Sequence, residues 1–354
     1  MKLKVSIQGV TGYTGVELLR LLARRPDVEL LELVGRSAAG QPLAKTFPSV
    51  APLGLTLALG EELEHPAEAD FIFLALPHHA SAQTAAKILE AAPHTRVIDL
   101  SADFRLKDVA TYEQWYGSHP AAYLLSEAVY GLPELYRAQY SSQTRLVAVP
   151  GCYPTCSSLA LAPALAHPAI IEPDVIIDAK SGLSGAGRGL KQNLHFSEAD
   201  ESASAYGLDG HRHLPEIQQI LHDVSGREVS VLFTPHLVPL VRGMLASCYA
   251  RLTPEFWQEY GPERAAMAVR ELYKKFYVNE PFVQIVEQPP TTKEVRGSNY
   301  CFIYPTVDPR TRRLVVISVL DNLTKGAAGG AVQSMNLLAG LPETTGLDFM
   351  PVYP

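Results

Sequence analysis

Cys152 stands in Val149-Pro150-Gly151-Cys152-Tyr153-Pro154-Thr155, between the apolar run Arg145 to Val149 and the helix-like run Thr155 to Leu165. A thiol where a strand hands over to a helix faces unpaired backbone N–H groups and the positive end of the helix dipole, which favours the thiolate and makes a nucleophile. The plainer alternative is packing, because cysteine is among the most buried residue types. His211-Arg212-His213-Leu214-Pro215-Glu216-Ile217 places two histidines on the same side of an extended segment, before a helix that Pro215 can start. One histidine can act as general acid and base near neutral pH, while the other, with Arg212, binds a substrate anion. No nearby Cys or carboxylate completes a ligand set around them, so no metal is expected. His78-His79 is a rival pair.

Anion chemistry has its own candidates. Gly9-Val10-Thr11-Gly12-Tyr13-Thr14-Gly15 follows an apolar run and opens a helical one, leaving backbone N–H groups for a pyrophosphate; the G-x-x-G-x-x-G spacing departs from the usual dinucleotide fingerprint. Where an acidic residue would read the ribose of NAD, this chain has Gly35-Arg36-Ser37, a cation and a hydroxyl suited to a 2′-phosphate, although strand-end arginines are commonly just solvated. Lys180 to Gly189, with two cations and two hydroxyls on a glycine-rich backbone, is either an anion cradle or a mobile connector. Asn322 offers an amide to a carboxamide, or caps a helix together with Thr324. Ser101-Ala102-Asp103-Phe104-Arg105 ends a strand on the ligand-binding edge of an α/β sheet, which puts Arg105 in reach of a carboxylate or phosphate.

The elements that must position these groups follow from periodicity. Leu3 to Gln8, Val28 to Val34, Asp70 to Leu76, Arg96 to Leu100 and Leu146 to Val149 read as strands, with helices from Val16 to Leu22 and Ser81 to Ala91. Strands alternating with helices predict a parallel, doubly wound Rossmann-type sheet over residues 1–150. Beyond Cys152 come a helix to Leu165 and strands at Val175 to Ala179, Val229 to Phe233 and Arg242 to Leu252. An amphipathic helix at Pro262 to Tyr277 follows, then a hairpin of Tyr300 to Thr306 with Arg313 to Leu320 around Asp308-Pro309. Few helices between long strands predict an α+β domain with a largely antiparallel sheet over 151–322, and 323–354 carries a helix, Lys325 to Ala339, expected to return to the first domain. The Tyr-rich stretch Asp103 to Tyr140 resists assignment.

The chain has 354 residues, 47% hydrophobic and 19% charged, which suits two globular domains. A formal charge of -7 argues against nucleic acid as partner. Four cysteines at 152, 156, 248 and 301 make no disulfide framework, and Cys156, one turn after Cys152, reads as helix packing. No apolar run reaches the ~18 residues of a membrane span, so a soluble cytoplasmic protein with no membrane partner is expected.

Six of these motifs in this order, from Gly12-Tyr13-Thr14-Gly15 to Asp321-Asn322-Leu323-Thr324-Lys325-Gly326-Ala327, resemble the N-acetyl-gamma-glutamyl-phosphate reductases of arginine biosynthesis, within the aspartate-semialdehyde and glyceraldehyde-phosphate dehydrogenase superfamily. The resemblance runs nearly end to end. It implies an NADP(H)-dependent reduction of a small acyl phosphate, with Cys152 as nucleophile carrying a thioester and His213 as general acid and base. Backbone N–H groups near Cys152 would hold the oxyanion. Gly9, Thr11, Gly12, Tyr13, Thr14, Gly15, Arg36, Ser37, Pro77, Ser181, Gly182, Gly185 and Asn322 match positions that line the cofactor, and Arg105 and His211 match substrate contacts. A homodimer or homotetramer built through the second domain's sheet is implied as well. The alternative within the superfamily is the paralogue of lysine biosynthesis that reduces an aminoadipyl phosphate; its Gly-Cys-Asn pattern differs from Gly151-Cys152-Tyr153. Outside it stand a cofactor-free thiol hydrolase or acyltransferase and a dinucleotide-sensing regulator; the glycine turn and Arg36 speak against the hydrolase.

Overall fold

Leu3–Gln8 (β1), Tyr13–Leu22 (α1) and Val28–Val34 (β2) form the expected strand, glycine turn, helix and strand in a computed structural model that describes residues 2–35, 39–167 and 170–354. Phe71–Leu74 (β3) follows, buried along its whole length as an inner parallel strand must be, then Ala80–Ala91 (α2) and Arg96–Asp99 (β4). The Tyr-rich stretch supplies a helix, Val109–Tyr116 (α3), a three-residue strand, Ala128–Tyr130 (β5), and a single turn, Pro133–Tyr136 (α4), before Leu146–Ala148 (β6). All six strands pair in parallel in the order β2-β1-β3-β4-β6-β5. The chain leaves β1 toward β2 on one side and β3 lies on the other, so the sheet's switch point falls at the carboxyl end of β1, the edge that binds ligands in such sheets.

Cys152–Leu165 (α5) opens the second unit, followed by Ile171–Gly182 (β7), a short turn Phe196–Ala199 (α6), Ser204–Ala205 (β8), Leu214–Ser225 (α7), Ser230–Val238 (β9) and Met244–Leu252 (β10). Pro254–Phe276 (α8) bends at Gly261, whose φ is 63°, so the expected Pro262 helix is its second piece. Val283–Ile285 (β11), Cys301–Asp308 (β12) and Arg313–Leu320 (β13) complete a sheet ordered β11-β12-β13-β10-β7-β9-β8. β12 and β13 form the expected hairpin. Four of the six pairings are antiparallel, while β7 with β9 and β11 with β12 are parallel.

The chain divides into Met1–Pro150 with Ala327–Phe349 and Gly151–Gly326 with Met350–Pro354. Residues 323–326 and 350–354 thus group with the second unit and 327–349 with the first. The helix Gly329–Leu338 (α9) belongs to the first unit, where Gln333 donates to Glu134 at 3.0 Å; Val352 stays with the second, its N–H on Arg296 O at 2.8 Å.

α5 is the buried helix of the second unit, and Cys152 is its one residue not fully buried. Pro163 in its last turn has no N–H to give to Leu159 O. Tyr277 Oη supplies the missing donor at 2.6 Å, and Tyr273 Oη reaches Ala160 O at 2.8 Å. Cys156 packs inward on Ser318 of β13, as expected of a core thiol.

Candidate functional site

Gly151 is the N-cap of α5 and Cys152 its first helical residue. The helix begins one turn earlier than Thr155 because Thr155 reaches back twice to Gly151 O, with its N–H and its Oγ1, each at 2.9 Å. Two distant segments close on this turn. A Cβ on Gly151 would meet His213 Nε2 at 2.5 Å, so the imidazole lies directly on the N-cap, and a Cβ on Gly326 would meet Cys152 Cβ at 2.8 Å. Gly151 N–H donates to Glu216 Oε1 at 2.9 Å, and Glu216 is buried.

His211 and His213 do not share an extended segment. They sit in a turn closed by Leu214 N–H on His211 O at 2.8 Å, and His211 Nδ1 accepts the His213 N–H at 3.1 Å. The His211 ring packs edge-on against Tyr153, Tyr206 and Phe233. That burial, reinforced by Arg212, pushes its pKa down to about 4. His211 is thus a neutral ring at physiological pH, with Nδ1 as acceptor and Nε2–H left as the donor. Tyr206 donates to Tyr153 Oη at 3.3 Å and Tyr153 to His236 O at 3.0 Å. Burial pushes Tyr206 up to about 12 and Tyr153 further, so both hydroxyls keep their protons.

The Lys180 to Gly189 segment is neither a connector nor a nest at its start. Lys180-Ser181-Gly182 end β7, and the N–H groups of Gly182, Leu183 and Ser184 go to the carbonyls of Gly243, Leu240 and Val241. Gly182 is needed because a Cβ would meet Leu240 O at 2.9 Å. Ser181, Gly185 and Asn322 do come together: a Cβ on Gly185 would stand 3.1 Å from Ser181 Oγ and 3.6 Å from Asn322 Nδ2. Asn322 donates to Ser184 Oγ at 2.9 Å and accepts Gly243 N–H at 2.7 Å, so it links loops; the capping falls to Asp321, whose Oδ1 takes the N–H groups of Leu323 and Thr324.

In the first unit the glycines of the turn separate by cause. Gly9 has φ 94° and a Cβ there would meet Ala75 O at 2.3 Å; on Gly15 it would meet Gly9 O at 2.3 Å. Those two serve the packing of α1 on the sheet. Gly12 has ordinary φ of −84° and its nearest Cβ neighbour would be Gly9 O at 3.5 Å, so neither backbone nor packing demands glycine there. It is the N-cap of α1 and, being glycine, offers no side chain to cap that end. A cradle with open space at a helix N-terminus fits a dinucleotide phosphate. Thr11 lies against Gly35 at the end of β2, Tyr13 and Thr14 form the first turn of α1, and Pro77 is exposed after β3, whose Leu74 is in register with Gln8 of β1. Arg36 and Ser37 lie outside the described residues.

Arg105 is buried, donating from Nε to Val149 O at 2.7 Å and from Nη2 to Leu100 O at 2.9 Å, and so ties the chain beyond β4 to that beyond β6. Asp103 is structural: it accepts from the backbone N–H groups of His79 and Ala82 and from Tyr112 Oη, capping α2. Missing from the sequence reading were Glu216 and Gly326. Glu216 stands three residues after His213, on the same helical face, and Gly326 near the start of a helix marks a close approach; both signals were present. Among the described residues no cluster of His, Cys, Asp and Glu could hold a metal ion, and no helix is long and apolar enough to cross a membrane.

A Rossmann sheet with an uncapped helix N-terminus, and a second unit with a thiol at a helix start, define a dehydrogenase of the semialdehyde class. Residues 4–143 match the family model "Semialdehyde dehydrogenase, NAD binding domain" and 152–322 match "Semialdehyde dehydrogenase, dimerisation domain". Aspartate semialdehyde dehydrogenase II of Vibrio cholerae, solved with ASA, superposes with a TM-score of 0.70 at 18% identity, over 96% of this chain and 99% of that one; the NADP complex of the Candida albicans enzyme gives 0.65 at 14%, over 96% and 99%. These share the fold. N-acetyl-gamma-glutamyl-phosphate reductase of Symbiobacterium thermophilum is 50% identical over 100% of both chains, and that of Desulforamulus reducens 48% over 99% of this chain and 100% of the other. The chain belongs to the N-acetyl-gamma-glutamyl-phosphate reductase family.

Proposed function

We propose that the protein reduces N-acetyl-L-glutamyl 5-phosphate to N-acetyl-L-glutamate 5-semialdehyde, releasing phosphate, as a step of arginine biosynthesis, with NADPH as reductant and a thioester on Cys152. The observation that carries this reading is the single turn at Gly151-Cys152, which starts α5 and has the His213 imidazole on its N-cap. Cys152 Sγ bonds to the acyl carbon while the carbon–oxygen bond to phosphate breaks, and phosphate leaves with that electron pair. NADPH, when held by the residues named below, would supply the hydride that takes the thioester to the aldehyde level. His213 gives a proton to the resulting oxyanion and takes it back as the thiohemiacetal collapses and the thiolate departs. Backbone N–H groups of the first turn of α5 would hold the oxyanion; Gly151 N–H is engaged by Glu216 and Pro154 has none.

The resemblance assigns cofactor contacts to Gly9, Thr11, Gly12, Tyr13, Thr14, Gly15 and Pro77, and likewise to Ser181, Gly182, Gly185 and Asn322. The preference for NADP rests on Arg36 and Ser37. His211 would meet the substrate as a neutral N–H donor, and Arg105 is the second candidate substrate contact. The match to a dimerisation domain supports a homodimer or homotetramer. Four cysteines without a disulfide fit a reducing compartment such as the cytoplasm. The test is the reverse reaction: pure protein with N-acetylglutamate 5-semialdehyde, phosphate and NADP should form NADPH only when phosphate is present. Failure to form NADPH under those conditions sinks the reading.

A further inference from the structure

We infer that Glu216 is the positioning residue that holds Cys152 and His213 in one register, an inference that rests on the reading of Cys152 as nucleophile. Its carboxylate is buried and accepts the Gly151 N–H at 2.9 Å across 65 residues of sequence. Gly151 is the residue on which the His213 imidazole lies, and it is covalently next to Cys152. His213 is the N-cap of α7 and Glu216 sits in that helix's first turn. One turn of α7 thus carries both the proton-transfer group and the acceptor that fixes the nucleophile's turn. α5 and α7 also pack against each other. The hydrogen bond to the backbone N–H adds a directional constraint, because its strength falls off with distance and angle.

The demand on Glu216 is geometric: an acceptor oxygen at the end of a three-bond side chain. Gln has such an oxygen at the same reach, Asp is one methylene short, and Ala has none. Misplacing reacting groups by about an ångström costs on the order of 10²-fold in rate without weakening substrate binding to match. Glu216→Ala and Glu216→Asp should therefore lower kcat by about 10²-fold with KM and NADPH affinity within about twofold, and Glu216→Gln should bring kcat back to within about threefold of the parent. A loss confined to folding would lower the active fraction but leave kcat per titrated Cys152 unchanged.

The experiment measures kcat and KM per active site, counted by alkylation of Cys152, for the three Glu216 variants, and activity per protein chain for Cys152→Ser. Rescue by Gln together with loss in Asp supports the inference, and that pair decides it even if Glu216→Ala fails to fold. Loss in Glu216→Gln as deep as in Asp, full kcat in Asp or Ala, or a change in KM alone overturns it. Activity surviving in Cys152→Ser would overturn the thioester reading itself. Activity abolished there but intact in Glu216→Ala would remove only the positioning role.

Discussion

His213 and Gly151 approach more closely than any side chain at residue 151 would permit, since a Cβ there would lie 2.5 Å from Nε2 and 2.9 Å from the neighbouring ring carbons. The φ of −68° at Gly151 suits alanine, so Gly151→Ala strains no backbone and acts only by displacing the imidazole. Overpacking of this kind costs about 1–3 kcal/mol. The rate penalty should be larger, a fall in kcat on the order of 10²-fold, with NADPH titration by fluorescence unchanged. A variant with full kcat would mean that His213 does not need to sit on the N-cap.

Gly9 and Gly12 should respond oppositely to alanine. Gly9→Ala puts a Cβ 2.3 Å from Ala75 O at a φ of 94° and should prevent stable folding of the first unit. Gly12→Ala meets only an ordinary contact, so stability should change by no more than about 1 kcal/mol. Its methyl occupies the space left for the dinucleotide, and NADPH affinity should drop by about tenfold or more. Equal NADPH binding by Gly12→Ala and the parent would remove the phosphate site from this turn.

Two buried groups tilt stability against pH in opposite senses. Asp99 lies beneath the hydroxyls of Ser81 and Ser101, and burial raises its pKa from 3.8 to about 6. The folded first unit keeps that proton where the unfolded chain has lost it. The associated stability is therefore fully present below 3.8 and lost as pH rises through about 6, a change of about 3 kcal/mol. His211 runs the other way: with its pKa lowered from 6.5 to about 4, stability of the second unit is present above 6.5 and lost as pH falls through about 4. Hydrogen exchange, corrected for intrinsic rates, should show β4 losing protection and α7 gaining it between those limits, with Asp99→Asn flattening only the β4 slope. Parallel slopes in the two units would contradict both assignments.

β1, β2 and the β12–β13 hairpin were legible because apolar alternation and turn residues bound them within one local window. β5 was not, since three residues between Glu127 and Gly131 carry no periodicity, and its edge position beside β6 comes from tertiary pairing. β7 runs through Lys180-Ser181-Gly182, whose polarity and glycine read as a loop, because β10 and β9 flank it up to that end. Cys152 and the His211–His213 pair could be picked out from residue type and local position, while the choice of His213 between the two came only from the family resemblance. The contacts of Glu216 and Gly326 with this turn were signalled only by local spacing, and their partners could not be named because they lie far apart in the chain. The charge state of His211 was likewise hidden, being set by the rings of Tyr153, Tyr206 and Phe233.

The thioester on Cys152 can be weighed directly. Protein mixed with N-acetylglutamyl 5-phosphate without NADPH, quenched in acid and measured intact by mass spectrometry, should gain one N-acetylglutamyl group, mapped to the peptide bearing Cys152 and absent in Cys152→Ser. Adding NADPH before the quench should discharge it. A parent protein that stays unmodified while turning over substrate, or an equal adduct on Cys152→Ser, would contradict a reaction carried by this cysteine.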